Sequence, residues 1–417
     1  MKRMKDVYIS LLLIAVLTAC GQITPATNTE GMDIGDANNA DTVIAEQPEQ
    51  PEQEINSSGS GDLIPDGVLI NTGSDNSVSL QDTNGNIISE IETPGSITLE
   101  SDDIVIAGNI GPGEPLPPVI FHSWQPSQAL TVNTNGNITI GRETNSFLSM
   151  VGAPGQAAFA FSEVQINAEN YPHGFLYAAK PDNLESAASF YDLVDDPFYW
   201  ALKPVGIAAI TGEPQGVWYV KTAWGIGGVD LIFPIHRGLY FYNLTNGENI
   251  QYLDDNRNPQ GISADLSIAA SISSDTSGDL ALSITDLQHN KTTSFPLDPA
   301  TDRGAGWAVF SPDNAYVAWL EATGSMAADP FEFQPRIRVG AIHSGDVVHD
   351  VSAETARQVI NSEIITMMRP SGWLDNETLL VEVRGNDWDD VYLLRYTIDS
   401  DELTVFSPGS FLTFAYQ

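Results

Sequence analysis

Few residues of this chain have types and spacings that could do chemistry. The histidines are His122, His173, His236, His289, His343 and His349. His343 and His349 flank one turn, where they could lie across a hairpin, but two imidazoles fall short of a zinc ligand set. A satisfied surface pair is the simpler expectation. Among the acidic clusters, Asp387, Asp389 and Asp390 follow Gly385-Asn386, and Asp254 and Asp255 precede Asn256. Hard oxygen ligands of this kind suit calcium, so Asp387, Asp389 and Asp390 are the secondary candidates for a metal. Solvated loops are the plainer reading, and no cofactor is expected. Asp82, Asn84 and Asn86 alternate like the opening of a calcium loop, yet the glycine falls at 85 and no Glu follows at the required distance. That group reads as hairpin-turn chemistry.

Catalytic machinery is not visible. There is no Gly-x-Ser-x-Gly elbow, no phosphate loop and no His-Glu-x-x-His. The single cysteine, Cys20, rules out an intrachain disulfide and leaves the body without a thiol nucleophile. Aromatic residues crowd the run from Tyr171 to Trp224, beside Gly225-Ile-Gly-Gly228. Most are expected in a core, but Trp200, Trp218 and Trp224 are secondary candidates for a ligand-binding face.

A chain of 417 residues with 42% hydrophobic content is long enough for one large globular body after an N-terminal segment. Lys and Arg total 17 against 55 Asp and Glu, a formal charge of −38. A field of that sign repels nucleic acid, so no nucleic-acid partner is expected. It favours solubility, cations and basic protein surfaces.

Residues 1–19 read as an address. Lys2, Arg3 and Lys5 precede the apolar run Val7–Leu17. At about 1.5 Å per residue, that run is too short for a hydrocarbon core of about 30 Å. It ends in Leu17-Thr18-Ala19-Cys20. This resembles the lipobox of bacterial lipoproteins. The resemblance implies cleavage between Ala19 and Cys20 and acylation (a diacylglyceryl thioether, often with a further acyl chain such as palmitate) at Cys20. Two or more chains anchor durably where one does not. The expected partner is therefore a lipid bilayer, reached through acylated Cys20, in the cell membrane or the outer membrane. Residues 20–62 continue without an aromatic, Lys or Arg from Gly21 on, and with Gln-Pro-Glu and Ser-Gly repeats. Such a segment cannot bury enough apolar surface to offset its ordering entropy. It is expected to be a disordered acidic tether spanning roughly 35 Å.

From residue 63 to 417 short apolar runs alternate with polar residues and are cut by Gly, Asn, Asp and Pro. The pattern is all-β. Two helices are expected as decorations, Thr355–Met368 and Asn183–Asp192. Trp307–Asp350 reads as one complete unit of four short strands. Hairpin turns recur at Asn84-Gly85, Asn135-Gly136, Asn246-Gly247, His289-Asn290, Ser344-Gly345 and Ser400-Asp401. Asn-Gly suits tight hairpins because both residues tolerate φ > 0. The wide interval in the middle is read as two periods, with a poorly matched seventh turn at Asp195-Asp196 and an irregular insertion over 141–238. A second piece repeats too: Phe310-Ser311-Pro312-Asp313 aligns with Ile262-Ser263-Ala264-Asp265, with Trp373-Leu374-Asp375 and more loosely with Trp124-Gln125-Pro126.

That piece resembles the repeat of TolB-type, WD-like β-propellers, clearly over Gly261–Phe406 and faintly over Gly67–Tyr219. The resemblance implies a fold and not an activity. The expected body is a β-propeller of seven four-stranded blades, with six or eight as the alternatives, closed by the C-terminal strand Phe411–Tyr416. Two functions fit: a membrane-anchored, extracytoplasmic scaffold that binds an envelope or extracellular protein or another ligand, or a propeller enzyme acting on glycans or lactones at the ring centre. The second needs convergent carboxylates or metal ligands from several inner strands. The inner stretches Ala308–Phe310, Gly261–Ser263 and Pro370–Gly372 are apolar or small, which favours the first.

The anchor is directly testable. The wild-type protein should fractionate with membranes and need detergent for release, and Cys20→Ser should move to the soluble fraction. Detergent-dependent fractionation that survives the substitution would contradict the anchor.

Overall fold

The computed structural model describes residues 63–71, 77–92, 104–106, 119–124, 127–132, 138–143, 147–153, 158–166, 172–179, 189–193, 201–222, 233–274, 280–298, 304–324, 332–386 and 390–415. The chain divides into two compact units, residues 1–55 and 56–417, and all described residues belong to the second. Ala19, Cys20 and the expected tether lie outside them.

The strands in chain order are β1 (Gly67–Asn71), β2 (Ser77–Asp82), β3 (Ile87–Glu92), β4 (Ile104–Ile106), β5 (Val119–Trp124), β6 (Ser127–Val132), β7 (Ile138–Glu143), β8 (Phe147–Gly152), β9 (Phe159–Ile166), β10 (Pro172–Ala179), β11 (Ser189–Leu193), β12 (Ala201–Ile210), β13 (Glu213–Thr222), β14 (His236–Asn243) and β15 (Asn249–Leu253). They continue as β16 (Asn258–Ile262), β17 (Ile268–Ser274), β18 (Leu280–Asp286), β19 (Thr292–Pro296), β20 (Ala305–Phe310), β21 (Tyr316–Thr323), β22 (Gln334–Ala341), β23 (Asp346–Ser352), β24 (Met367–Trp373), β25 (Thr378–Arg384), β26 (Val391–Thr397), β27 (Glu402–Pro408) and β28 (Ser410–Ala415).

Among the described residues these make seven four-stranded antiparallel sheets. Six are meanders of four consecutive strands. The first is made of β28, β1, β2 and β3, so the last strand of the chain completes the first sheet. The first strands touch in series: β28 meets β4, β4 meets β8, β8 meets β12, and so on through β16 and β20 to β24. Where β24 returns to β28, Gly372 faces Phe414. Sheets set side by side about a shared axis, innermost strands together, are a β-propeller.

The four-strand unit expected over Trp307–Asp350 is one of these sheets, β20 to β23. The recurrent hairpins join the third and fourth strands, as at Gly85, Gly247 and Gly345, whose φ angles are 87°, 73° and 74°. Asp82 shows the turn chemistry: its Oδ1 accepts from the backbone N–H groups of Asn84 and Asn86, and its Oδ2 from the Asn86 amide. It holds no calcium-loop geometry.

Ser-x-Asp turns join first and second strands, and they also join sheets. Ser263 donates to Asp265 at 2.6 Å and Ser311 to Asp313 at 2.7 Å. Asn314 then donates to Asp265 Oδ2 at 2.9 Å, and the Asp313 N–H to Asn376 Oδ1 at 3.1 Å. Burial works to raise the Asp265 pKa, but hydrogen bonds from Ser263, Ser267 and Asn314 outweigh it and hold the carboxyl low. Three successive sheets are stapled this way. Between sheets lie apolar layers, such as Phe295 against Trp319 and Tyr316 against Trp373.

Several expectations need correction. The helix expected over Thr355–Met368 is α1 (Ala353–Ile360), capped by Ser352 and ended by Asn361 in the left-handed region. Its continuation is β24 because pairing with β25 overrides local propensity. The stretch expected as helix over 183–192 ends instead in strand β11, paired with β10. β10 pairs antiparallel with β11, and Asp195-Asp196, expected as the seventh turn, lie outside the described residues. Trp124 ends β5, the second strand of its sheet, which pairs with the third, β6, so it does not stand where the Ser-Pro-Asp turn does; Gln125 and Pro126 lie outside the described residues. The run 141–238 is no irregular insertion: it carries β8 to β13 of two sheets, with β12 and β13 ten residues long.

The innermost strands carry a device the hairpins do not. Their pairing with the second strand slips between Pro204 and Gly206, between Pro259 and Gly261, between Gly306 and Val309, and between Pro370 and Gly372. Proline lacks the N–H for a ladder bond and is tolerated at a bulge. The glycine that follows permits the close approach of the next sheet. A Cβ on Gly261 would lie 2.1 Å from the Ala308 carbonyl oxygen of β20, and one on Gly372 would lie 2.3 Å from the Phe414 ring of β28. Gly261→Ala should therefore lower the unfolding free energy by about 1–3 kcal/mol, read as a lower denaturant midpoint. An unchanged midpoint would mean that β16 and β20 do not approach this closely.

Candidate functional site

Innermost strands of six sheets line an open pocket of about 430 Å³. Val151 of β8, Lys203 of β12, Ile262 of β16, Val309 of β20, Ser371 of β24 and Phe414 of β28 all line it. Part of the wall is made by Ala264 and Pro312, which belong to the first-to-second strand turns, and by Leu63, which precedes β1. The lining is apolar apart from Lys203 and Ser371, and no described residue that lines it is an Asp or Glu. The Ser371 hydroxyl is buried and has no hydrogen-bond partner among the described residues.

Beside the cavity, polar groups run from sheet to sheet. The Phe411 N–H of β28 donates to Glu382 Oε2 at 2.9 Å. Glu382 is fully buried and lies 3.4 Å from the Arg369 guanidinium. That guanidinium stands over the Trp307 ring, 5.5 Å from its centroid. The Trp307 N–H donates to Gln260 Oε1 at 3.3 Å, and Gln260 donates to Asn258 Oδ1 at 2.9 Å. Asn258 Oδ1 also accepts from the His236 N–H at 2.8 Å. Trp307 has φ 57°, an outlier for a bulky side chain. Its bulge turns the residue out of the regular ladder toward Arg369.

Lys203, Asn258 and Arg369 each precede a Pro-x-Gly: Lys203-Pro-Val-Gly206, Asn258-Pro-Gln-Gly261 and Arg369-Pro-Ser-Gly372. The repeat is visible in the sequence, but a Pro inside an apolar run argues against a central strand. Glu382 and His236 carried no sequence signal beyond their type.

Of the expected site residues, Trp218 is displaced. It is 2% exposed and packs on Phe241 and Tyr252, with ring centroids 5.0 and 4.6 Å away. Strand alternation on β13 turns it into the core. Trp200, Trp224, Asp387 and Asp389 lie outside the described residues. Asp390 sits at the foot of β26, where its hydrogen bond raises the pKa of Tyr392. Asp254 accepts from the Asn256 N–H, and Asp255 is engaged by Lys221, Tyr240 and Gln251. His343 is exposed in its turn, while His349 lies edge-on to Tyr396 of the next sheet, 4.0 Å from Asp401, so the two do not pair. Among the described residues no group of three or more His, Cys, Asp or Glu is placed to hold a metal.

No protein-family model matches the sequence, and no curated protein matches it. Solved structures do. A chain from a study of two prolyl endopeptidases, on inter-domain dynamics in catalysis and specificity, is similar with a TM-score of 0.52 at 6% identity, covering 88% of this chain and 53% of that one. This likeness is one of fold alone. TolB from Acinetobacter baumannii gives a TM-score of 0.39 at 12% identity, over 70% of this chain and 65% of that one. An oligogalacturonate lyase in complex with manganese gives 0.47 at 10% identity, over 82% and 83%. The chain thus spans just under two thirds of that TolB structure and about half of the endopeptidase.

His236 provides a solution test of the site's electrostatics. Burial, reinforced by the charge of Lys203, pushes its pKa down to about 3 from an ordinary 6.5, against a backbone hydrogen bond at Ile235. As the pH falls, the unfolded chain takes up this proton first. The stability is therefore full above pH 6.5 and is lost toward pH 3, by about 1.4 kcal/mol per pH unit. Urea unfolding between pH 7 and pH 4 should show this slope, and His236→Gln should flatten it. The same slope in the variant would show that His236 is not buried neutral.

Proposed function

We propose that this chain is an extracytoplasmic lipoprotein, held to a membrane through acylated Cys20, whose propeller binds a partner at its channel and turns nothing over. Its seven sheets are the complete set of blades, and β28 closes the ring.

The make-up of the cavity wall is the observation that supports this most. Among the described residues that line it, the innermost strands contribute apolar side chains, one amine and one hydroxyl. A glycan- or lactone-processing propeller needs carboxylates or metal ligands converging there. The buried carboxylates nearest in kind, Glu321 and Glu382, lie on second strands and are engaged by Arg336, Arg338, Arg369 and Arg384. Small pockets with apolar walls and few polar groups suit binding.

The test is photo-crosslinking in intact cells. A photo-reactive residue replacing Ala264, at the cavity, should yield discrete adducts with an envelope or extracellular partner. The same residue at exposed Val348 on the outermost strand β23 should not. Adducts from Val348 alone, or turnover of a glycan or lactone by the purified protein, would overturn the proposal.

A further inference from the structure

The pocket leaves apolar side chains uncovered beside turns whose charge has one sign. Ile262 of β16, Val309 and Phe310 of β20 and Phe414 of β28 line it and are only half-buried. Two other lining residues, Ala264 and Pro312, each precede an exposed aspartate, Asp265 and Asp313, in the first-to-second strand turns. In the next sheet the lining residue Trp373 is followed by Leu374 and half-buried Asp375, with exposed Glu377 beyond. The three turns stand side by side, because Asn314 donates to Asp265 Oδ2 and the Asp313 N–H donates to Asn376 Oδ1. Hydrogen bonds hold the Asp265 carboxyl low, so its charge persists at neutral pH.

No Lys or Arg answers these acids within residues 263–267, 311–315 or 374–377. First strands run toward these turns and second strands run away from them. In the same three sheets Arg257 precedes β16, Arg336 and Arg369 lie near the starts of β22 and β24, and Arg384 ends β25. All four therefore belong to the opposite end of their sheets. Lys291 lies in the hairpin between β18 and β19, at the outer edge of its sheet. The turns beside the pocket thus carry negative charge with no cation of their own, and the field there favours a positive partner.

Resting on the reading of the channel as the binding site, we infer that the pocket and these turns receive a peptide segment of a partner protein in which Lys or Arg flank an aromatic or branched apolar residue. The apolar side chain enters the pocket, and the flanking cations lie over Asp265, Asp313 and Asp375. Anchors of this kind, seated in a pocket, carry most of the affinity of an interface. Charges around them speed encounter and make binding depend on salt. An acidic segment would meet like charge at the turns, and a basic segment without the anchor would leave the pocket open.

The experiment is a selection from a random octapeptide library on the full mature chain carrying Cys20→Ser, so that no acyl group of its own competes. Enriched peptides should combine an aromatic or branched apolar residue with at least two Lys or Arg, and the tightest should bind saturably at one site. Ala264→Arg puts a cation beside Asp265 at an exposed position and should weaken that peptide at least tenfold. Val348→Arg makes the same charge change at an exposed position on β23 and should leave its affinity within twofold. Matching thermal melts for the two variants exclude a folding defect. No enrichment, enrichment of peptides lacking either the cations or the apolar residue, or equal losses in the two variants would each overturn the inference. A partner segment crosslinked at Ala264 that carries no Lys or Arg would also overturn it, while leaving the reading of the channel intact.

Discussion

The rest of the structure depends on how closely the innermost strands crowd around the axis. At Gly261 and Gly372 there is no room for even a methyl group between one first strand and the next. Such contact is incompatible with regular pairing, which would place side chains and ladder bonds where the neighbouring strand must pass. The chain resolves this with a bulge at the same place in four innermost strands, with Pro before the slip in three of them. The bulge removes a residue from the ladder and turns it elsewhere. The cavity and the polar chain beside it both follow from that choice, since Gln260, Trp307 and Ser371 are residues the bulges release.

Charge is distributed with similar economy. A chain with 17 cations and 55 acids could be expected to scatter its cations over the surface. Instead Arg336 lies 2.7 Å from fully buried Glu321, and Arg338 lies 3.6 Å from it, while Arg369 and Arg384 approach fully buried Glu382. Buried ion pairs add little net stability once desolvation is counted. Their consequence here is positional. Glu382 captures a backbone N–H of the closing strand, Arg369 stacks on Trp307, and Trp307 reaches Gln260 on the neighbouring sheet. Sheets far apart in sequence are registered to one another through side chains rather than strand pairing.

Much of this fold is legible in the sequence because a propeller is built from local pieces. The Asn-Gly hairpins and the Ser-Pro-Asp turn each lie within a few residues, and the four-strand unit from Trp307 to Asp350 emerges as expected. The terminal strand, expected to pair with the start of the body, does so as β28 on β1. The errors fall where the outcome is decided by distant residues. Ser189–Leu193 pairs with β10 and is a strand, and Asn361 stops α1 because β24 is claimed by β25. Trp218 looked available among many aromatics, but whether a strand residue faces a core or a ligand depends on register, and register is a property of the pairing. The candidate site was the least legible part. Its residues, Lys203, Ser371 and Phe414, belong to separate sheets and meet only when the ring is assembled.

The proposed ring stands or falls on the union of the two chain ends of the body. In the register of β1 with β28, Leu69 lies opposite Thr413. Antiparallel partners have Cα atoms about 4.5–5.5 Å apart, within the span of about 4.4–6.8 Å that a disulfide bridges. The decisive measurement is disulfide formation in a Cys20→Ser chain carrying Leu69→Cys and Thr413→Cys, followed by mass spectrometry after mild oxidation. Near-complete crosslinking within the monomer, with a raised melting temperature, is the predicted result. Two freely titratable thiols in the folded, oxidised protein would show that the last strand does not complete the first sheet.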